Sequence, residues 1–172
     1  MAWVTDSPGW MNQRTTSVTY RFLSSMQGSL GVGANLNKWS PSDFETAKQM
    51  ITAYKQIRDT VQHGSLYRLA SPRGGSEISV TESVSNNKNQ GVLFAFLHSS
   101  QMGYPFPRVF LRGLDPKANY RVTSIAGGLT KDSPTTASGS YWMSHGVDVD
   151  LRGDFQAAAF RFDNLTNLDT SH

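Results

Sequence analysis

Cysteine is absent from all 172 residues, which excludes disulfides, thiolate catalysis, iron–sulfur clusters and Cys-ligated zinc together. Long apolar runs are missing as well. The longest, Val92-Leu93-Phe94-Ala95-Phe96-Leu97, falls far short of the roughly 18 residues of a membrane-spanning helix, so no membrane partner is expected. Charge is sparse and nearly balanced: 16 basic against 13 acidic side chains leave a net +3 with no basic tract, so nucleic acid is not an expected partner either. The only histidines, His63, His98, His145 and His172, show neither i, i+4 spacing nor clustering with acids, so no metal and no cofactor is expected. The opening stretch Met1 to Pro8 lacks the basic and apolar regions of a secretory signal, does not look like a natural beginning, and leaves the compartment open.

What is present divides into two patterns. In residues 1 to about 63 short strands alternate with helices. Ala2-Trp3-Val4-Thr5 reads as a strand stopped by Asp6-Ser7-Pro8-Gly9. Val18, Phe22, Leu23 and Met26 fall at helical spacing between Ser17 and Gln27, with Gly28 as a stop. Leu30 to Ala34 is a glycine-rich second strand, a composition that marks close backbone approach. A long helix follows, capped by Ser42 with Glu45 three residues on. Its apolar stripe comprises Phe44, Ala47, Ile51, Tyr54 and Val61, with Met50 and Ile57 beside it, and Gly64 is placed for a left-handed cap.

After Gly64 the pattern is all strand, with turns about every ten residues, as in an antiparallel sandwich. Candidate strands are Ser65–Leu69, Glu77–Ser83, Val92–His98, Arg108–Leu111, Tyr120–Ile125, Tyr141–Met143, Val147–Leu151 and Ala157–Phe162. The polar tail from Asn164 to His172 is expected to fray. The order is βαβα followed by a β module of about 100 residues. Two βα units cannot cover both faces of their own parallel strands, so the first half reads as unfinished.

Several segments, in order and spacing, resemble the C-terminal part of the α-galactosidases of glycoside hydrolase family 36. In the first half these are Ala2 to Pro8, Arg21-Phe22, Gly28 to Leu36, Tyr54 to Arg58 and Val61 to Leu69. In the second half they are Leu111 to Pro116, Ser138 to Met143, His145 to Val147 and Gly153 to Gln156. The resemblance covers nearly the whole chain. It implies an α+β chain in which residues 1–63 are the last two βα units of a (β/α)8 barrel and residues 64–172 an antiparallel β-sandwich. It also implies a retaining hydrolase of terminal α-galactosyl groups, with two aspartates about 5 Å apart. The family's Lys-Trp-Asp and Ser-Asp-Asn patterns do not occur: Lys38-Trp39 is followed by Ser40. On this reading the aspartate pair lies upstream, no catalytic residue is expected here, and the chain's role is structural.

Two residues are candidates for substrate contact. Asp6 ends a strand where barrel enzymes keep their chemistry, although Asp-Ser-Pro-Gly is also an Asx-turn sequence. Trp3, with Trp10, offers an indole platform for a sugar ring or for packing. The family usually has histidine where Trp3 stands. The expected partners are a galactosyl oligosaccharide in the intact enzyme and the remainder of the barrel or another protein chain. A homo-oligomer stays open, since family members often form one. The competing reading is a non-catalytic carbohydrate-binding or partner-assembly module using Tyr104, Phe106, Tyr141 and Trp142. A remote third is an independent enzyme pairing Asp6 with a sandwich carboxylate.

Other patterns are weaker. Gly31-Val32-Gly33 lacks the third glycine of a dinucleotide loop, Leu36 standing in its place. Asp148 and Asp150 alternate with Val147, Val149 and Leu151 as on a half-exposed strand, and Arg152-Gly153-Asp154 reads as a turn. Asn164-Leu165-Thr166 is a glycosylation sequon in the polar tail.

Overall fold

The computed structural model describes residues 1–166 apart from 10, 12, 74, 75, 101, 102 and 104. Trp10, Tyr104 and His172 lie outside the described residues, as does most of the tail expected to fray.

The chain begins with β1 (Ala2–Val4), α1 (Val18–Ser25), β2 (Leu30–Val32) and α2 (Pro41–His63). β1 and β2 pair in parallel, with Trp3 opposite Gly31. Ser17 caps α1, its hydroxyl accepting the Tyr20 amide at 3.1 Å. Nine further strands and helices follow: β3 (Ser65–Ala70), β4 (Ile78–Val84), β5 (Gln90–Leu97), β6 (Asn119–Ala126), β7 (Gly128–Leu129), β8 (Thr136–Ser138), α3 (Gly139–Ser144), β9 (Val149–Asp150) and β10 (Gln156–Asn164). A six-stranded antiparallel sheet runs β3-β4-β5-β10-β6-β8, and β7 pairs with β9.

The apolar run of β5 is long because both of its faces are covered. Leu93, Ala95 and Leu97 join Val80, Val84, Tyr120, Phe160, Phe162 and Trp142 in one core, closed by the 109–151 segment. Val92, Phe94 and Phe96, with Ala159 of β10, face the other way and meet Phe22, Leu23 and Met26 of α1 and Met50, Tyr54 and Ile57 of α2. Each such large side chain contributes about 1.5–3 kcal/mol when fully buried. Polar ties pin the helices to the sheet: Thr81 Oγ1 donates to Gln27 Oε1 at 2.7 Å, Thr60 Oγ1 to Gln90 Oε1 at 2.6 Å, and Arg161 donates to the Gln56 side chain.

The structure corrects several sequence expectations. The cap of α2 is Ser40, not Ser42: Ser40 Oγ accepts the Asp43 amide at 3.2 Å and Asp43 Oδ2 accepts the Ser40 amide at 2.8 Å. Pro41 fits the first helical position, where no N–H is needed, and this shifts the box two residues earlier. Those bonds to Ser40 hold the Asp43 carboxyl below its ordinary range. The buried stripe runs through Ala47, Met50, Tyr54, Ile57 and Thr60, while Phe44 stays 46% exposed beside Trp39. Gly64 is extended (φ −76°), so a left-handed cap is not its role. A β-carbon there would sit 2.4 Å from the carbonyl oxygens of Thr60 and Val84, which is why glycine is required.

Residues 141–143 are helical, not a strand. Ser138 Oγ accepts the Tyr141 amide at 3.2 Å and starts α3, a cap that three apolar letters conceal. The expected strand 108–111 contributes only the bridge Val109 to Val147, and 147–151 narrows to β9.

Candidate functional site

β1 has an inward and an outward side. Val4 is fully buried against the helices, whereas its neighbour Trp3 is 55% exposed on the opposite face. No described element covers that face, and the Trp3 indole lies across Gly31 and Gly33 of the β2 segment. Beyond β1 the chain turns through a cis Ser7-Pro8 bond. Gly9 and Arg14 close the following loop, the Gly9 amide donating to the Arg14 carbonyl at 2.9 Å, and Ser7 Oγ accepts the Thr16 amide at 3.1 Å.

Asp6 sits where that loop leaves β1. Its Oδ1 accepts the Asn35 amide at 2.8 Å, tying the ends of the two parallel strands together. Beside it the Arg21 guanidinium donates to the Thr5 carbonyl. Burial lowers the Arg21 pKa, and the charges of Asp43 and Asp6 oppose that shift. Among the described residues, Arg21 Nε is a buried donor without a partner.

Asp6 and Arg21 open onto a cavity of about 380 Å³, also lined by Arg14, Tyr20, His98 and Phe155. Three parts of the fold meet there: the 5–16 loop, α1, and the sheet through the end of β5 and the turn before β10. His98 Nδ1 lies 3.1 Å from Glu77 Oε2 and its Nε2 lies 3.3 Å from Arg14 Nη1. Since a guanidinium only donates, Nε2 must accept, which leaves the proton on Nδ1 facing Glu77. The Arg14 guanidinium carbon stands 5.5 Å from the Phe155 ring centre. His98 meets that ring edge-on at 4.9 Å and Tyr20 at 6.3 Å. Phe155 holds φ at 50°, a left-handed conformation rare for a bulky residue.

The structure therefore separates the two sequence candidates: Asp6 lines this cavity and Trp3 does not. The sequence does not mark Arg14, Arg21, His98 and Phe155 as site residues, because no local spacing joins positions as far apart as 14 and 98. Only the glycine turn before Phe155 hinted at its backbone.

Other candidates take structural places. Trp142 is fully buried, packed on Phe162 at 5.5 Å and Tyr141 at 5.4 Å, and Phe106 leans on the same core. Trp142 therefore packs in the core, while Phe106 and Tyr141 stay partly exposed. Asp148 receives two bonds from Arg108, at 2.7 and 2.8 Å, Asp150 pairs with Arg152, and Asp154 accepts the Ser100 amide at 2.7 Å. Arg152-Gly153-Asp154 is a turn, with Gly153 at φ 88°. The sequon residue Asn164 belongs to β10, not to a polar tail, and is 7% exposed. Among the described residues no group of three or more His, Asp or Glu could hold a metal, and no helix is long and apolar enough to cross a membrane.

Comparison with known proteins matches residues 78–162 to the glycosyl hydrolase family 36 C-terminal domain. A probable α-galactosidase G of Emericella nidulans is 31% identical over 153 residues, 88% of this chain and 20% of that protein. The α-galactosidase Mel36A of Lactobacillus acidophilus is 30% identical over 161 residues, 92% of this chain and 20% of that protein. The crystal structure of the family 36 α-galactosidase AgaB from Geobacillus stearothermophilus superposes with a TM-score of 0.84 at 25% identity, over 95% of this chain and 21% of that one. The chain spans about a fifth of the length of these relatives. The matched region takes in most of the antiparallel sheet, and the chain belongs to glycoside hydrolase family 36, matching that family's C-terminal domain.

Proposed function

We propose that residues 1–63 are the last two βα units of a (β/α)8 barrel, that residues 64–172 are the C-terminal β-sandwich domain, and that the chain is the structural C-terminal part of a retaining α-galactosidase. The catalytic aspartate pair then comes from a preceding segment, and the substrate is a terminal α-galactosyl group of an oligosaccharide.

One observation carries this reading. β1 and β2 form a parallel pair whose helices lie on one side only, and among the described residues neither outer edge is paired. Parallel strands are stable when both faces are covered, so the pair calls for further parallel strands beside it and a barrel interior over Trp3. In that setting Trp3 lines the barrel wall and Asp6 its rim, at the strand ends where barrel chemistry is done.

The test is hydrolysis of a chromogenic α-galactoside by the chain alone, beside an Asp6→Asn control, and by a chimera in which it replaces the corresponding fifth of a relative. No turnover alone and activity in the chimera are expected. Turnover by the chain alone above the control overturns the structural role, and a folded but inactive chimera overturns the enzyme assignment.

A further inference from the structure

The cavity beside Asp6 lies on the helix side of β1, away from the uncovered Trp3 face, and its described lining draws on the loop after β1, on α1 and on the sheet. Its size, about 380 Å³, is within the roughly 300–1,000 Å³ of small-molecule sites. Its lining combines donors and acceptors with aromatic rings. Arg14, Arg21, Tyr20 and Thr16 supply donors, while Asp6 supplies a carboxylate.

Within the lining the guanidiniums of Arg14 and Arg21 face one carboxylate, Asp6, and the carboxylates of Asp43 and Glu77 act on lining groups from outside it. Arg21 is within the field of both Asp6 and Asp43, and the His98 imidazole is turned toward Glu77. An anion would meet Asp6 at close range, and an organic cation would meet Arg14 and Arg21. A neutral ring bearing many hydroxyls meets neither penalty and can both donate to and accept from the lining.

The walls are also held in advance. Arg14 is fixed from two sides, by His98 Nε2 and by the Phe155 ring, and Phe155 keeps its ring in place from a left-handed backbone. Backbone of that kind on a bulky side chain concentrates at functional sites. Prior fixing of this sort reduces the ordering a weak ligand must impose.

We propose that this junction cavity is a saccharide-binding site, taking one hexose unit of a neutral oligosaccharide, separate from the barrel interior. The choice of a saccharide rests on the α-galactosidase reading; the cavity and its lining charges do not.

The experiment titrates the isotope-labelled 172-residue chain with galactose, with raffinose and with inorganic phosphate, following backbone amide signals by NMR. Saturable millimolar shifts at Tyr20, His98 and Phe155 with a sugar, and none there with phosphate, are expected. Arg14→Ala and His98→Ala, both at exposed positions, should each weaken binding about tenfold while thermal unfolding shows them folded. Absence of saturable shifts, shifts confined to other regions, or a stronger response to phosphate overturns the proposal. Because the chain is titrated alone, failure of the barrel reading in the chimera leaves this result standing, and the reverse.

Discussion

The indole of Trp3 on β1 lies so close to Gly31, its register partner on β2, that a β-carbon at position 31 would sit 2.7 Å from Trp3 Cε3. The glycines of the second strand are thus the complement of one tryptophan on the first.

Gly31→Ala is expected to push the indole off β2 and cost about 1–3 kcal/mol. In a Trp3→Ala background the same substitution should cost nothing measurable. Denaturant unfolding of the four-member cycle reads the difference, and an unchanged cost in the second background would refute the pairing.

Gly64→Ala should be more severe, because both atoms it meets, the carbonyl oxygens of Thr60 and Val84, belong to backbone. A loss of at least about 2 kcal/mol is expected, measured by thermal or urea unfolding.

Tyr54 joins α2 to the turn before β2. Its hydroxyl donates to the Gly28 carbonyl at 2.6 Å and accepts the Leu30 amide at 3.2 Å and Gln62 Nε2 at 2.6 Å. Tyr54→Phe should cost about 1–3 kcal/mol. Amide exchange at Leu30 should accelerate more than at Leu93 in β5.

Glu82 is a carboxyl 1% exposed on β4, accepting the amides of Arg112 at 2.7 Å and Gly113 at 3.1 Å while Lys88 Nζ donates to the Gly113 carbonyl at 2.9 Å. Burial raises its pKa, with those two amides, Lys88 and Arg112 acting the other way. A carboxyl whose folded pKa is raised stabilises the fold most below its unfolded range of about 4.3 and loses that contribution as pH climbs through the folded value. The stability of the native chain relative to Glu82→Gln should therefore fall from acid toward neutral pH, read by urea unfolding across that span. Glu82→Ala, which strands two buried amides, should be the least stable of the three at every pH.

Much of the fold is legible in the sequence, and the misses have physical reasons. The 3.6-residue stripe from Ala47 to Ile57 and the apolar runs of β5 and β10 report burial, so the long helix and long strands stand out. The α2 cap misled because Ser40 and Ser42 both precede acids at suitable spacing, and only backbone geometry chooses between them. α3 is too short for a period to show. The cavity was hidden because Arg14, His98 and Phe155 meet only once the helices dock on the sheet. Asp6 is legible from its position at a strand end, a rule about topology that needs no partner residues.

β5 shows neither face to water, since α1 and α2 claim one and the 109–151 segment the other. A swing between the parallel strands and the large sheet would tear open a core containing Phe22, Phe94 and Ile57, so the two move as one body. Whatever docks on β1 and β2 therefore sets the bearing of the whole sheet, which stands against that assembly as a fixed buttress and carries the cavity at its foot.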